Sequence, residues 1–514
     1  MEKILVLDFG GQYNQLIARR VRDHHVYAEI LPYTTPIETI KENGYKGIIF
    51  TGGPNSVFDM SSPHYTKDIL ELGVPVLGIC YGCQLIAWMG DGKVETAPVS
   101  EYGKIEVTVG ESKLFKDIPE KSVTWMSHTD YIAEPPKGYE IIAHTDDCPC
   151  AAMQNTQKNI YAVQFHPEVT HSVYGKEILH NFLYEICRCS GDWVMDNFIE
   201  NTVKSLREKI GDKNVILGLS GGVDSSVAAG LLSRAVGKQL TCVFVDQGLM
   251  RKDEGDFVEK TFTRLFDMNF VRVNCGDHFM QCLKGVTDPE QKRKIIGTEF
   301  YKVFWDEVRA RASEGYFAQG TIYPDRIESG KGKSAGKANT AVIKTHHNMV
   351  EKPKDINFID TIEPLGDLFK DEVRAVGEKL GIPHELVWRQ PFPGPGLGVR
   401  IIGEVTADKV KILQDADWVL RDEMSKNGYE SNLAQFFCVL PGVNSVGVMG
   451  DHRTYDNVVV IRAVTTDDFM TADWAKIPYD ILAKVSNRIT NECAHINRVV
   501  YDITSKPPGT VEWE

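Results

Sequence analysis

The first third of the chain is organised around the stretch Val76-Leu77-Gly78-Ile79-Cys80-Tyr81-Gly82-Cys83-Gln84. A short apolar run leads into a Gly-x-Cys-x-Gly turn, and a helix begins near Gln84. Such strand, turn and helix units build parallel sheets that are covered by helices. Similar apolar runs alternate with amphipathic stretches at 3–7, 47–50 and 160–165. The pattern predicts an α/β domain with a mostly parallel sheet over residues 1–190.

A second unit of the same kind follows. Apolar runs at 215–219 and 240–245 flank a helical pattern at 225–236. This order predicts a second doubly wound α/β domain over residues 191–389.

The segment Gln390-Pro-Phe-Pro-Gly-Pro-Gly-Leu-Gly398 marks the next boundary, because its prolines and glycines continue neither a helix nor a central strand. Helical patterns then lie at 406–426 and 472–493, and strand-like runs lie at 435–440, 458–464 and 497–503. We expect a small α+β domain over residues 390–514. The predicted fold class is thus α/β, with two doubly wound domains in series followed by this small domain.

Composition limits the classes of partner. The chain has 514 residues and a formal net charge of -14, which opposes non-specific binding to nucleic acid or to an anionic membrane. No apolar stretch approaches the ~18 residues of a membrane-spanning helix. The apolar run near the start of the chain is too short, and polar residues follow too early, for a signal peptide. Eleven scattered cysteines are typical of reduced thiols. We therefore expect a cytoplasmic protein without nucleic-acid or membrane partners.

Cys80 lies where a nucleophile is expected. Flanking glycines permit a sharp turn, and the following helix N-terminus favours a thiolate. A redox pair of Cys80 with Cys83 is the competing interpretation. The segment Gln164-Phe165-His166-Pro167-Glu168 favours the nucleophile, because it supplies a base and, two residues later on the same side of the chain, a carboxylate that can orient it.

An oxyanion site completes this arrangement. The segment Thr51-Gly52-Gly53-Pro54 follows another strand and offers backbone N–H groups, together with the N–H of Tyr81.

These motifs together resemble the class I glutamine amidotransferase family over roughly residues 1–190. The resemblance implies that Cys80, His166 and Glu168 are catalytic and that Cys80 forms a glutamyl thioester. It further implies an oxyanion and glutamine-binding set, namely Gly53, Tyr81, Gln84, Ser127, His128 and Asp130.

The second chemical motif is a strand, a glycine turn and a helix start, Val215-Ile-Leu-Gly-Leu-Ser220-Gly-Gly-Val-Asp-Ser-Ser226. Exposed backbone N–H groups and the helix dipole suit a phosphate chain. No Gly-Lys-Ser/Thr follows, so this is not a Walker A loop, and an ordinary glycine-rich turn is the alternative. The motif resembles the pyrophosphatase loop of enzymes that adenylate a substrate.

That resemblance implies an ATP site in which Asp224 acts through Mg²⁺ and the backbone of Val245 contacts adenine. Lys344 is the implied charge partner of the departing pyrophosphate. The basic stretch 329–354 around it is either a solvated loop or a lid over ATP. The full implied ATP set is Ser220, Gly221, Gly222, Val223, Asp224, Ser225, Ser226, Val245 and Lys344.

The C-terminal third indicates which enzyme family combines a glutamine amidotransferase part with an adenylating loop of this kind. The segments 390–398, Asp451-His-Arg-Thr-Tyr-Asp456 and Lys506-Pro-Pro-Gly-Thr-Val-Glu-Trp-Glu514 resemble the glutamine-hydrolysing GMP synthetase family. The resemblance implies synthesis of GMP from xanthosine monophosphate (XMP), with glutamine as nitrogen donor and ATP cleaved to AMP and pyrophosphate through an adenylated intermediate. It also implies a homodimer through the C-terminal domain, Mg²⁺ with ATP and no prosthetic group. The implied XMP ligands are Arg293, Gln435, Arg498, Lys506 and Glu512.

Three alternatives stay open at this stage. A glutamine-dependent NAD synthetase shares the Ser-Gly-Gly loop but usually carries an unrelated glutaminase. A sulfur-transfer enzyme acting on tRNA would favour a basic surface, which the net charge of -14 opposes. A nucleotide sensor without catalysis would not need the reactive residues. Neither the paired histidines His346 and His347 nor the pairs Cys148/Cys150 and Cys187/Cys189 have the spacing of a structural zinc site.

Overall fold

The computed structural model describes residues 1–59, 61–311, 315–328, 356, 358–466, 469 and 471–514. Lys344 and the whole basic stretch 329–354 around it therefore lie outside the described residues. The described residues form two compact units. The first contains Met1–Glu200 and residues 323–328, and the second contains Asn201–Ile322 and the described residues from 356 to 514.

The first unit contains a sheet and short helices. Its elements are β1 Lys3–Asp8, α1 Asn14–Asp23, β2 Tyr27–Pro32, α2 Ile37–Asn43, β3 Gly47–Phe50, β4 Val76–Ile79, α3 Tyr81–Met89, β5 Lys93–Val109, β6 Lys121–Glu134, β7 Glu140–His144, β8 Ala152–Asn155, β9 Ile160–Val163 and α4 Gly175–His180. A π-helix, Asn181–Ile186, continues α4, and α5, Met195–Ile210, contains the boundary between the units.

The strand order of this sheet is β2-β1-β3-β4-β9-β8-β7-β5-β6. The strands from β2 to β9 in that order are parallel, and the remaining four pair antiparallel. The inner parallel strands β3, β4 and β9 are buried along their whole length because both faces of the sheet are covered there. The predicted α/β class is confirmed, but the sequence did not predict the long β5–β6 hairpin.

The second unit begins with another parallel sheet. Its elements are β10 Asn214–Gly218, α6 Val223–Val236, β11 Leu240–Asp246, α7 Glu254–Leu265, β12 Asn269–Asn274, α8 Gly276–Cys282, α9 Pro289–Arg311, β13 Gly315–Ala318, β14 Phe358–Ile362, α11 Lys370–Lys379 and α12 His384–Val387, with α10, Tyr323–Glu328, assigned to the first unit. The order β12-β11-β10-β13-β14 places the first strand, β10, in the middle. Successive strands are therefore added on one side of β10 and then on the other, and this reversal of strand order is the switch point where such sheets bind ligands.

The last part of the chain forms an α+β layer, as predicted. Its elements are α13 Ala407–Lys426, β15 Gln435–Val439, β16 Asn444–Met449, β17 His452–Thr465, β18 Asp473–Trp474, α14 Tyr479–Glu492 and β19 Ile496–Asp502. The helix predicted over 472–493 is wrong at its start. Pro478 is the N-cap of α14, and the residues before it join the sheet, where Trp474 pairs with Val464.

One hydrophobic core joins this layer to the rest of the second unit. Leu249, Phe279 and Ile296 pack in the same buried cluster as Leu413 and Phe436. The boundary between residues 389 and 390 stays a prediction, but this shared core explains why both regions belong to one compact unit.

All eleven cysteines are free. Among the described residues, no helix is both long and apolar enough to cross a membrane.

Close packing of α3 against β3 yields a stability prediction. A Cβ atom at Gly82 would lie 2.6 Å from Cβ and O of Phe50, whereas a Cβ at Gly297, inside α9, would meet nothing within 4 Å. We expect Gly82→Ala to lower the unfolding free energy by about 1–3 kcal/mol through overpacking. The control Gly297→Ala should raise it by about 0.5–1 kcal/mol, because alanine costs less backbone entropy. Denaturant titration of both variants checks this, and a neutral Gly82→Ala would contradict it.

Candidate functional site

Three neighbouring parallel strands end at the first site. In β3, Phe50 lies beside Gly78 of β4, and in β9, Val163 lies beside Ile79 of β4. The residues that follow these strands, around Gly52, Cys80 and His166, therefore emerge at one edge of the sheet.

Cys80 occupies a strained turn between β4 and α3. Its φ of 53° lies in the left-handed region, and its N–H donates to the carbonyl of Val163 over 2.9 Å. A non-glycine residue adopts this conformation only when its surroundings hold it there. The turn lifts the thiol off the end of the strand, where a substrate carbonyl can reach it.

His166 and Glu168 form a buried pair at the end of β9. Nδ1 of His166 lies 2.7 Å from Oε1 of Glu168, and the two residues are 5% and 1% exposed. Burial lowers the pKa of His166, but hydrogen bonds with Cys80 and Glu168 outweigh it, so the net pKa lies well above its usual range. The arrangement favours an imidazolium beside the Cys80 thiol.

Further contacts hold the thiol and the imidazole. The Cys80 thiol donates to the carbonyl of Ser127 over 3.7 Å, and Nε2 of Gln164 donates to the same sulfur over 3.9 Å. The ring of Tyr13 meets the His166 ring edge-on at 5.2 Å. Gln164 lies in the same sequence motif as His166, but neither its contact with the sulfur nor the contact of Tyr13 follows from local spacing.

Gln84, expected to hold glutamine, is itself held inside the protein. Its Nε2 donates to the carbonyl of Asp130 over 2.8 Å and to Oε1 of Gln164 over 3.2 Å, and the residue is 5% exposed. This geometry indicates that Gln84 supports the wall of the site through Gln164 and Asp130.

The segment from Ser127 to Asp130 lies on β6. His128 is buried, with Nε2 2.9 Å from Oε2 of Glu101 and Nδ1 3.0 Å from the carbonyl of Asp130. Ser127 is exposed, and the Asp130 carboxylate accepts from Thr96. Ser127 thus lies beside the thiol, whereas the His128 side chain is buried and bonds Glu101 and the backbone of β6.

The glycines after β3 lie against the nucleophile. A Cβ atom at Gly52 would be 3.6 Å from Cε1 of His166 and 3.9 Å from Cβ of Cys80, and one at Gly53 would be 2.9 Å from the ring of Tyr81. The backbone of Gly52 and Gly53 therefore lines the site closely, as an oxyanion site requires. The Tyr81 hydroxyl is anchored to the carbonyl of Pro63 at 2.8 Å.

The glycine loop after β10 forms the second site. Gly221 has a φ of 75°, and Gly222 is the N-cap of α6. Hydroxyl groups close the loop, because Ser225 Oγ lies 3.1 Å from Ser220 Oγ, and Ser226 Oγ donates to the carbonyl of Gly222 over 2.7 Å. A pre-formed turn at the N-terminus of a helix is a favourable place for phosphate. Val223 begins α6.

Two basic residues that the sequence did not single out lie at this loop. Nζ of Lys370 contacts both carboxylate oxygens of Asp224, at 2.8 and 2.7 Å. Arg389 donates to the carbonyl of Gly221 over 3.0 Å. Each of these cations is paired with a carboxylate, Lys370 with Asp224 and Arg389 with Glu254, so ion pairs border the loop beside the N-terminus of α6. Val245 is buried in the neighbouring strand β11.

The residues expected to bind XMP divide into separate groups. Gln435 and Glu512 meet, with Nε2 to Oε1 at 2.9 Å, and Arg400 donates to both carboxylate oxygens of Glu512 at 3.0 and 2.7 Å. Arg400 is fully buried against the ring of Phe437, and its Nη1 has no hydrogen-bond partner among the described residues. Arg400 was not predicted, because its partner lies far along the chain.

The other three expected ligands lie elsewhere in the second unit. Arg293, on α9, donates to the backbone carbonyl of Glu514. Nζ of Lys506 donates to the carbonyl of Phe469 over 2.6 Å. Arg498, on β19, donates to Oγ of Ser445 over 3.2 Å. The structure brings none of these three into direct contact with the Gln435–Glu512 pair.

Family models match three parts of the chain. A model described as glutamine amidotransferase class-I matches residues 5–186. A model described as NAD synthase matches residues 195–294, and one described as GMP synthase C terminal domain matches residues 422–513. These ranges cover the thiol site, the glycine loop and most of the last layer of the fold.

Curated relatives match the whole chain. A GMP synthase [glutamine-hydrolyzing] of Ruminiclostridium cellulolyticum is 59% identical over 514 residues, which are 100% of this chain and 99% of that protein. One of Acetivibrio thermocellus is also 59% identical with the same coverage. Among solved structures, a glutamine amidotransferase of Thermotoga maritima is 15% identical and covers 37% of this chain and 99% of that one, with a TM-score of 0.30. The full-length identity to curated relatives shows the family, and this chain belongs to the glutamine-hydrolysing GMP synthases.

Proposed function

We propose that this enzyme makes GMP from XMP, taking nitrogen from glutamine and cleaving ATP to AMP and pyrophosphate. The observation that carries the proposal is the presence, in one chain, of a thiol–imidazole–carboxylate site and a phosphate-type glycine loop. Full-length similarity to GMP synthases supports the combination. The rival NAD synthetase shares only the loop region, which the NAD synthase model matches at residues 195–294.

In the glutaminase half, Cys80 attacks the side-chain amide of glutamine. His166 takes the Cys80 proton as the sulfur attacks, and Glu168, 2.7 Å away, stabilises the charged imidazole. The backbone N–H groups near Gly53 and Tyr81 receive the developing oxyanion. His166 then gives its proton to the departing ammonia, and water releases glutamate from the thioester. Ser127, beside the sulfur, and Asp130 are the candidates for binding the rest of glutamine.

In the synthetase half, the loop 220–226 holds the phosphates of ATP. The C2 oxygen of XMP attacks the α-phosphorus, pyrophosphate departs, and ammonia displaces AMP to give GMP. The hard carboxylate oxygens of Asp224 suit Mg²⁺, which when bound offsets phosphate charge. Lys370, which contacts Asp224 at 2.7 Å, supplies further positive charge at the same place. The roles of Val245 at adenine and of Lys344 at pyrophosphate stay proposals.

Binding of XMP is supported best around Glu512. The buried Arg400 guanidinium, with Nη1 lacking a partner in the described part of the chain, is a suitable donor for a phosphate or a ribose oxygen. Gln435 is fixed beside it. Arg293, Arg498 and Lys506 complete the proposed set.

We also propose that the enzyme is a homodimer through its C-terminal layer and that it works in the cytoplasm, which its free thiols support. The β16–β17 hairpin exposes a row of apolar side chains on one face, because Val446, Val448 and Tyr455 are 43%, 76% and 69% exposed and Val446 pairs with Tyr455. Such an exposed row is typical of a subunit interface.

The two reactions should separate by mutation. We expect Cys80→Ala to lower glutamine-dependent GMP formation at least ~1,000-fold and to leave ammonium-dependent formation intact, because ammonia bypasses the thiol. Asp224→Asn should lower both reactions, since both need the adenylate. Coupled measurement of GMP, AMP and glutamate checks this. Loss of the ammonium reaction in a folded Cys80→Ala enzyme would overturn the division of labour.

The role of Glu168 has a pH signature. Glu168 stabilises the protonated form of His166, so its removal lowers the pKa of His166 and the imidazolium loses its proton at lower pH. In Glu168→Gln, the alkaline limb of the glutaminase rate profile should therefore move to lower pH, and the rate should fall on the order of 100-fold. The ammonium-dependent rate is the control. An unshifted alkaline limb would contradict the assigned pairing.

The dimer proposal is tested at the hairpin. We expect Val448→Asp to produce a monomer, because a charge in an apolar interface is costly to desolvate. Val99→Asp, at a residue that is 52% exposed in the first unit, is the matched control and should stay dimeric. Analytical ultracentrifugation gives both masses, and a monomeric wild type would refute the proposal.

A further inference from the structure

We propose that His278, Cys282 and Glu299 form a surface site for a zinc ion, apart from the residues assigned above to glutamine, ATP and XMP. The site would join helix α8 to helix α9. It is a binding site that the proposed reaction does not use.

Local structure brings the three side chains together. His278 and Cys282 are four residues apart in α8 and therefore lie one above the other on the same helical face. Phe279, between them in sequence, is fully buried and packs in the same cluster as Ile296 of α9. This apolar contact fixes α9 beside α8, so that Glu299 of α9 faces His278 at the rim of the core.

The distances suit one small ion. Nε2 of His278 lies 3.0 Å from Oε2 of Glu299 and 3.8 Å from Sγ of Cys282. All three ligand atoms lie within 4.8 Å of one another. In tetrahedral zinc sites, bond lengths of about 2.0–2.3 Å give ligand separations of about 3.4 Å for nitrogen with oxygen and about 3.6 Å for nitrogen with sulfur. Small rotamer adjustments would therefore complete the coordination.

The chemistry of the ligands selects the ion. A thiolate, an imidazole and a carboxylate together favour zinc over magnesium or calcium, which prefer oxygen ligands only. Nζ of Lys302 contacts the other oxygen of Glu299, Oε1, at 2.5 Å and so holds the carboxylate with Oε2 towards His278. His278 is 47% exposed, which gives the ion an entry path and leaves a fourth position for water.

A second cluster, Glu101 with His128 and Cys148, is a poorer candidate. It is wholly buried, and Thr145 already donates to Oε1 of Glu101 over 2.6 Å. Burial, with the nearby Glu101 charge, raises the pKa of the Cys148 thiol to about 12, so that the thiol keeps its proton. Its contacts are satisfied inside the strand layer, and an ion has no open path to it.

Cobalt(II) provides the direct test, because thiolate-to-cobalt absorption shows that a cysteine sulfur is bound to the ion. The full-length, metal-free protein should bind one Co²⁺ with thiolate-to-cobalt absorption, and Zn²⁺ should displace it. We expect Cys282→Ser to abolish this absorption. His278→Ala and Glu299→Gln should weaken Zn²⁺ binding at least ~10-fold. Zn²⁺ should also raise the melting temperature of the wild type more than that of Cys282→Ser.

Matched controls separate this site from the other thiols. Cys80→Ala and Cys148→Ser should keep the cobalt absorption, and Cys282→Ser should keep ammonium-dependent GMP formation, which shows that it is folded. Absence of the absorption in the wild type, or its persistence in Cys282→Ser, would overturn the proposal. Loss in Cys148→Ser alone would also overturn it, because the ion would then occupy the buried cluster.

Discussion

The parallel pairing of β4 with β3 and β9 is the constraint on which the proposed glutaminase site depends. This register places the residues after the three strands at one sheet edge, with Cys80 at the end of the central strand. A slip of one residue would turn each side chain to the opposite face of the sheet. The close approach of Gly82 to Phe50 fixes α3 on the sheet and thereby holds the left-handed turn at Cys80.

The charged groups of this site, His166 and Glu168, lie together beside the Cys80 thiol. His166 and Glu168 are nearly excluded from solvent, so their attraction is weakly screened and the imidazolium is strongly favoured. The surrounding polar groups are held by one another, as the chain from Asp130 through Gln84 to Gln164 shows. Such a satisfied network keeps the sulfur and the imidazole in place without adding a competing charge.

The second unit depends on a different constraint, the hydrophobic core that α8 and α9 share with the C-terminal layer. Because of this core, the last residues of the chain lie against α9. There the fully buried Lys292 pairs with Glu514, and its Nζ also donates to the carbonyl of Ile401 over 2.7 Å. A tail that would otherwise fray is thereby held beside residues proposed for nucleotide binding. The same packing of α8 against α9 brings His278 and Glu299 together.

The sequence by itself determined the α/β class and the positions of the strand–turn–helix motifs, because these signals are local and lie in contiguous residues, and it predicts the reactive residues within those motifs. It misjudged the start of α14, where Pro478 and sheet pairing override a helical pattern. Only the tertiary structure decided which distant groups meet, such as Gln164 with the Cys80 sulfur, Lys370 with Asp224 and Arg400 with Glu512. Those contacts depend on strand register and on packing between distant segments, and no local stretch of sequence contains that information.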